Sequence, residues 1–104
     1  MTVIVQSNSN TRGPGTKFHC RHIARRDNGK AYNAKELDTL FNYSWKVIAP
    51  DGSTVRFTGG KKGSAFIYFI PPVKFPRGSR YNVYSPMKLK TDKEYTIGHR
   101  MFII

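Results

Sequence analysis

Apolar residues in this chain mostly alternate with polar ones instead of recurring every three or four positions, so antiparallel strand is the predicted dominant element. Thr2 to Gln6 reads as a first strand. Lys17 to Arg25 reads as a second, closed by Asp27-Asn28-Gly29, whose Asn-Gly step tolerates positive φ and marks a turn. Between them, Ser7 to Thr16 combines Asn, Ser and Gly13-Pro14-Gly15 with a single Arg12, and is expected to be a mobile loop because it has too little apolar area to order itself.

Helical spacing occurs once, from Ala34 to about Asn42. Asn33 can cap this helix, Glu36 completes a capping box, Tyr32 can staple onto Leu37, and Leu37, Leu40 and Phe41 form the stripe to be buried. Beyond it, Tyr43 to Ala49 and Thr54 to Thr58 flank Pro50-Asp51-Gly52-Ser53, a turn tetrad that predicts a hairpin. Ser64 to Ile70 is apolar on both faces, with Phe66, Tyr68 and Ile70 on one and Ala65, Ile67 and Phe69 on the other. Such a strand is expected to be covered on both sides and to form the centre of the core. Pro71-Pro72 ends it, and Tyr81 to Ser85 and a stretch near Tyr95 to Ile104 complete the pattern. The predicted fold is α+β, a small single domain over residues 1–104. Its architecture is a mostly antiparallel sheet or open barrel of about five to seven strands with one short helix packed against it.

With 38% hydrophobic and 13% aromatic residues, 104 residues can build one compact core, which excludes disorder throughout. The apolar run at Met1 to Gln6 ends in Ser7-Asn8-Ser9-Asn10, short of a secretory signal, and no stretch is long enough to span a bilayer, so no membrane partner is expected. A single Cys20 excludes an internal disulfide and a four-cysteine zinc site and fits a reducing cytoplasmic location. Its place on the apolar face of the second strand reads as that of a small buried hydrophobe.

Charge changes the picture most. Eighteen Lys and Arg against six Asp and Glu give a net charge of +12, which points to a polyanion or an acidic protein surface as partner. The excess is uneven: residues 1–52 carry 8 basic and 4 acidic groups and residues 53–104 carry 10 and 2, counted along the sequence, which makes the second half the expected contact surface. Within it, Val73 to Ser85 interleaves Lys74, Arg77 and Arg80 with Phe75, Tyr81 and Tyr84, a mixture suited to unpaired bases that stack on rings while cations hold the backbone. Core packing competes as the role of each ring. The tip Gly59-Gly60-Lys61-Lys62-Gly63-Ser64 offers backbone N–H groups and two ammonium groups to a phosphate, although its spacing is not that of a nucleotide-binding P-loop, and solubility explains its lysines equally well. Strand alternation puts Lys17, His19, Arg21 and Arg25 on one face and Phe18, Cys20, His22 and Ala24 on the other, so the first face extends a positive stripe or is simply solvated.

The run His19-Cys20-Arg21-His22 suggests metal, but a strand sends the two histidines to opposite faces and no second ligand cluster follows. Six acids are too few to hold the ions of a metal-dependent nuclease, and the pairs Asp92/Glu94 and Glu36/Asp38 read as solvated charges. No metal, cofactor or catalytic residue is therefore assigned. Three functions follow, in order: a non-catalytic protein that binds single-stranded DNA or RNA; a small inhibitor or modulator, of the kind viruses and mobile elements encode, that occupies an acidic surface on a nucleic-acid-processing enzyme; and a metal-independent ribonuclease built on His19, His22 or His99. The X–Pro bonds at Pro71, Pro72, Pro76 and Pro86 add a prolyl isomerase as a candidate partner, against the simpler role of ending strands and protecting edges.

Overall fold

A computed structural model describes residues 1–7, 13–59, 66–91, 93 and 95–104. Its elements run β1 (Thr2–Ser7), β2 (Phe18–Arg25), α1 (Ala34–Leu40), β3 (Phe41–Tyr43), β4 (Lys46–Ile48), β5 (Phe57–Gly59), β6 (Phe66–Phe69), β7 (Arg80–Leu89) and β8 (Thr96–Ile103). The strands form two antiparallel sheets. The first has the order β1-β2-β6-β5; in the second, β7 is flanked by β3 and β4 on one edge and by β8 on the other. The fold is thus mostly antiparallel β with one short helix. Among the described residues eight strand segments stand where five to seven were expected, and the difference lies in β3 and β4.

These two share one register on β7, Phe41 to Tyr43 opposite Leu89 to Met87 and Lys46 to Ile48 opposite Tyr84 to Asn82. The ladder lapses between them at Pro86, which accepts from the Ser44 N–H (3.2 Å) but has no N–H to return. Pro86 therefore sits inside a central strand, where edge or terminal placement was expected, at the cost of one ladder bond. All described peptide bonds are trans.

The main core lies between the sheets. Phe18, Cys20, Ile67 and Phe69 point into it from the first sheet, and Val47, Tyr81, Val83 and Phe102 from the second. A chain of rings crosses it: Phe102 against Phe18 (5.0 Å between centroids), Phe18 against Phe69 (5.5 Å), Phe69 against Tyr81 (5.9 Å) and Tyr81 against Phe75 (6.3 Å). Edge-on and tilted rings of this kind give both area burial and fixed geometry. A second cluster of Val3, Ala24, Leu37, Phe41 and Met87 closes one end under α1.

The capping box at Asn33 and Glu36 forms as predicted. The helix, however, stops at Leu40, because Phe41 turns extended (φ −118°, ψ 145°) to join β7. Phe41 is still buried, now from a strand, whereas Leu40 of the predicted stripe is 40% exposed. Tyr32 packs T-shaped against Phe41 (4.9 Å), with the Arg26 guanidinium 4.1 Å from the Tyr32 ring centroid and an Arg26–Glu36 ion pair tying the turn to the helix.

The predicted hairpin is a corner. Its turn forms, with the Ala49 N–H donating to Ser53 C=O (2.8 Å) and Ser53 N–H and Oγ–H donating to Asp51 Oδ1 (3.0 and 2.6 Å). Pairing extends only to Ile48 opposite Thr54 and to the Val55 N–H on Val47 C=O; beyond that the chain leaves β4 in the second sheet and enters β5 in the first. The Ser64 to Ile70 strand is likewise corrected. Ile67 and Phe69 are buried, but Phe66 and Ile70 are each about half exposed, so only one face is covered. Ser64 and Ala65, residues 8–12 of the predicted 7–16 loop, and the tip with Lys61 and Lys62 lie outside the described residues.

Strands β1 and β8 approach closely, although no ladder joins them among the described residues. A Cβ at Gly98 would come within 2.7 Å of Val3 Cγ1 and 3.3 Å of both Val3 O and Val5 Cγ2. Valine side chains have stiff χ1 angles and both are packed here, so they yield little. Gly98→Val is expected to lower unfolding stability by about 1–3 kcal/mol, read as a reduced urea midpoint at constant m-value.

Candidate nucleic-acid interface

Strand β2 alternates without interruption. Phe18, Cys20, His22 and Ala24 face the core, while His19, Arg21, Ile23 and Arg25 face out. Burial pushes the Cys20 thiol up to about 12, against the pull of Arg100, so it stays protonated. The outward residues meet β6 in register, His19 opposite Tyr68 and Arg21 opposite Phe66. The His19 and Tyr68 rings stack at 5.6 Å and 28°, Lys17 Nζ stands 4.6 Å from the Tyr68 centroid, and the Phe66 ring is 52% exposed. One sheet face therefore combines two exposed or half-exposed aromatic rings, an imidazole and two flexible cations.

The face continues over the β5 edge into an open groove of about 560 Å³. Arg56, Thr58, Tyr68, Ile70, Lys74 and Phe75 line it, with Lys74 Nζ 5.1 Å from the Phe75 ring centroid. Neither ion pair among the described residues involves Lys17, Arg21, Arg56 or Lys74. The acids with described side chains have partners of their own, although Asp51 also feels the charge of Lys74. Asp27 is held below the usual carboxylate range by the N-terminal amine at 2.7 Å, Glu36 by the Asn33 N–H and then by Arg26, and Asp51 by the Ser53 hydroxyl and N–H.

The segment Val73 to Ser85 does not form one surface. Lys74 and Phe75 reach the groove, but Phe75 also packs on the core. Arg77 is exposed with its guanidinium against Gly13, where an added Cβ would lie 2.6 Å from Nη2. Arg80 and Tyr84 face out from the second sheet, on the other side of the core, where Tyr84 stacks on His99 (4.5 Å, 17°). Tyr81 is 1% exposed and offers no free ring face, which removes it as a base platform. Arg25 donates to Gly29 C=O (3.1 Å) at the far end of β2, about 13 Å from Arg21 by strand rise.

No family model, curated protein or solved structure matches this chain. The site is accordingly read from its own residues.

The three histidines occupy three separate places: His19 on the outer face of the first sheet, His22 in the core and His99 on the outer face of the second. His22 is buried, bonded through Nδ1 to Ser85 Oγ (3.1 Å), stacked on Trp45 (5.0 Å) and held neutral by desolvation, which lowers its pKa to about 4. No group of three potential metal ligands occurs among the described residues, nor any helix long and apolar enough to cross a membrane.

Phe66 and Tyr68 are the aromatic residues that sequence reasoning misplaced, and Arg56 was not singled out. Apolar character on both faces of a strand is normally a sign of double cover. Here the second face is aromatic yet left open. The only sequence signal was the Tyr hydroxyl in alternation with Ile67 and Phe69. The candidate surface also draws on both halves of the chain, with Lys17, His19 and Arg21 from the less basic one.

Proposed function

We propose that this protein binds single-stranded nucleic acid, DNA or RNA, without catalysis, on the outer face of the first sheet and the groove beside β5. The β2–β6 register carries the reading, because it sets Arg21 beside Phe66 and Lys17 and His19 beside Tyr68. Phe66 and Tyr68 alternate along one strand, which spaces their rings by about 7 Å. That distance suits successive bases of an extended chain but not the closer stacking of a duplex. Rings accept any base face, while Lys17, Arg21, Arg56 and Lys74 neutralise phosphates. The only described helix has seven residues, with Lys35 and Glu36 adjacent, which disfavours groove reading of a duplex. The dispersal of the histidines favours binding over cleavage.

Fluorescence anisotropy with labelled single-stranded and duplex oligonucleotides across a salt series tests this. Single strands should bind more tightly than duplex, and affinity should fall with salt. Phe66→Ala should weaken binding by about 1–3 kcal/mol, roughly 5- to 150-fold. Neutralising Lys17 or Lys74 to Gln should reduce the log–log salt slope by about 0.7 each. Preference for duplex, or affinity indifferent to Phe66→Ala, would remove the proposal.

A further inference from the structure

The opposite side of the molecule has a different chemistry. On the outer face of the second sheet, β8 presents Ile97, Met101 and Ile103, which are 60%, 43% and 57% exposed. Beside them in register stand Pro86 opposite Ile97, Asn82 opposite Met101, and Tyr84 opposite both His99 and Lys46. His99 lies flat on Tyr84 and its Nε2 bonds Asn82 Oδ1 (2.9 Å), so one polar pair among the aliphatic residues is engaged with itself. A concavity of about 350 Å³ opens between Lys46, Ile48, Tyr84, Pro86 and Ile97, where Pro86 presents only a compact ring. A row of long aliphatic side chains on an exposed sheet face, next to a concavity, is the pattern of an interaction surface.

Charge selects the occupant. Lys46, Arg80 and Lys88 project from this same face, and neither described ion pair involves them. A second copy of the chain would set these cations against themselves across a two-fold axis, within two molecules that each carry +12. Nucleic acid gains little from isoleucine and methionine, which have no ring face, and the Tyr84 ring is stacked on His99. We infer that this face docks an acidic protein segment, with one apolar side chain of the partner entering the concavity and flanking carboxylates meeting Lys46 and Arg80. The inference goes beyond the nucleic-acid reading and uses none of its residues, so the chain would join a nucleic acid on one face to an acidic protein on the other.

Selection of a random peptide library displayed on phage, against the immobilised chain with its opposite face saturated by single-stranded oligonucleotide, provides the test. The same library is selected in parallel against Ile97→Asp and Lys46→Glu, both changes at exposed positions. Enriched peptides should carry Phe, Leu or Trp flanked by Asp or Glu. They should lose at least about tenfold in affinity to either variant but not to Phe66→Ala, and should shift the amide resonances of Lys46, Ile48, Tyr84 and Ile97. Failure to enrich any peptide over Ile97→Asp, or enrichment of neutral or basic peptides, would overturn the inference. So would sedimentation showing a dimer that Met101→Asp dissociates, which would make the occupant a second copy. Loss of oligonucleotide binding in Ile97→Asp would assign this face to nucleic acid instead.

Discussion

Tyr81→Ala should cost the protein about 3–5 kcal/mol of unfolding stability, the range for deleting a fully buried ring. The ring lies between Phe69 and Phe75 and links the sheets, so its loss opens a cavity that residues from both sheets line and that neither can fill alone. Tyr81→Phe should do the reverse. The hydroxyl is buried without a hydrogen-bond partner among the described residues, so its removal relieves a desolvation penalty and should raise stability by up to about 1 kcal/mol. Urea unfolding of the two variants checks both signs. Nucleic-acid affinity of the folded Tyr81→Phe variant should stay within about twofold of the parent, because the ring faces the core; a larger loss would return Tyr81 to the binding surface.

Acid should unfold the protein through His22. Its native pKa of about 4 lies below the ordinary value of 6.5, because burial disfavours the imidazolium. Above pH 6.5 the neutral ring suits both folded and unfolded states and stability is at its full value. As pH falls from 6.5 toward 4 the unfolded chain takes up a proton that the native core refuses, and stability drops. The loss should reach about 2 kcal/mol by pH 5 and about 3 kcal/mol by pH 4. The lowered carboxylates, Asp27, Glu36 and Asp51, act mainly below pH 5, since their ordinary values are 3.8, 4.5 and 3.8. Chemical denaturation at pH 7, 6 and 5 should therefore isolate the histidine. His22→Gln, which keeps a polar partner for Ser85 but does not titrate, should flatten the slope between pH 7 and 5. A slope that persists in His22→Gln would place the acid sensitivity elsewhere.

Legibility in the sequence followed the range of the interactions involved. The Asn33–Glu36 capping box and the Asn28-Gly29 and Asp51-Gly52 turns were readable because each is complete within a few residues. The β2 pattern was readable too, as burial of one face imposes a period of two on the side chains themselves. The segment from Val73 to Ser85 failed as a single surface for a related reason. Its composition suits nucleic acid, but Arg80, Tyr81 and Tyr84 lie on a strand that sends alternate residues to core and solvent, while Lys74 reaches the groove beside β5 and Arg77 lies against Gly13. Composition has no direction, and a binding surface requires one.

Legible from the chain alone were its mostly antiparallel character, the capped helix α1, the inward placement of Cys20 and His22, the outward placement of Arg21 and Arg25, and the net charge of +12. These properties depend on local spacing or on sums over the chain. Tertiary structure alone decided which strands are neighbours. It sent the two arms of the Pro50–Ser53 turn into different sheets, stopped α1 at Leu40 so that Phe41 could pair with β7, and placed Pro86 in a central strand. By setting β6 against β2 it also left Phe66 and Tyr68 beside Arg21 and His19 on an open face. Strand pairing joins residues far apart in the chain through backbone hydrogen bonds that every residue can accept and every residue except proline can donate. The choice of partner therefore falls to the collective packing of the core, which no local pattern encodes.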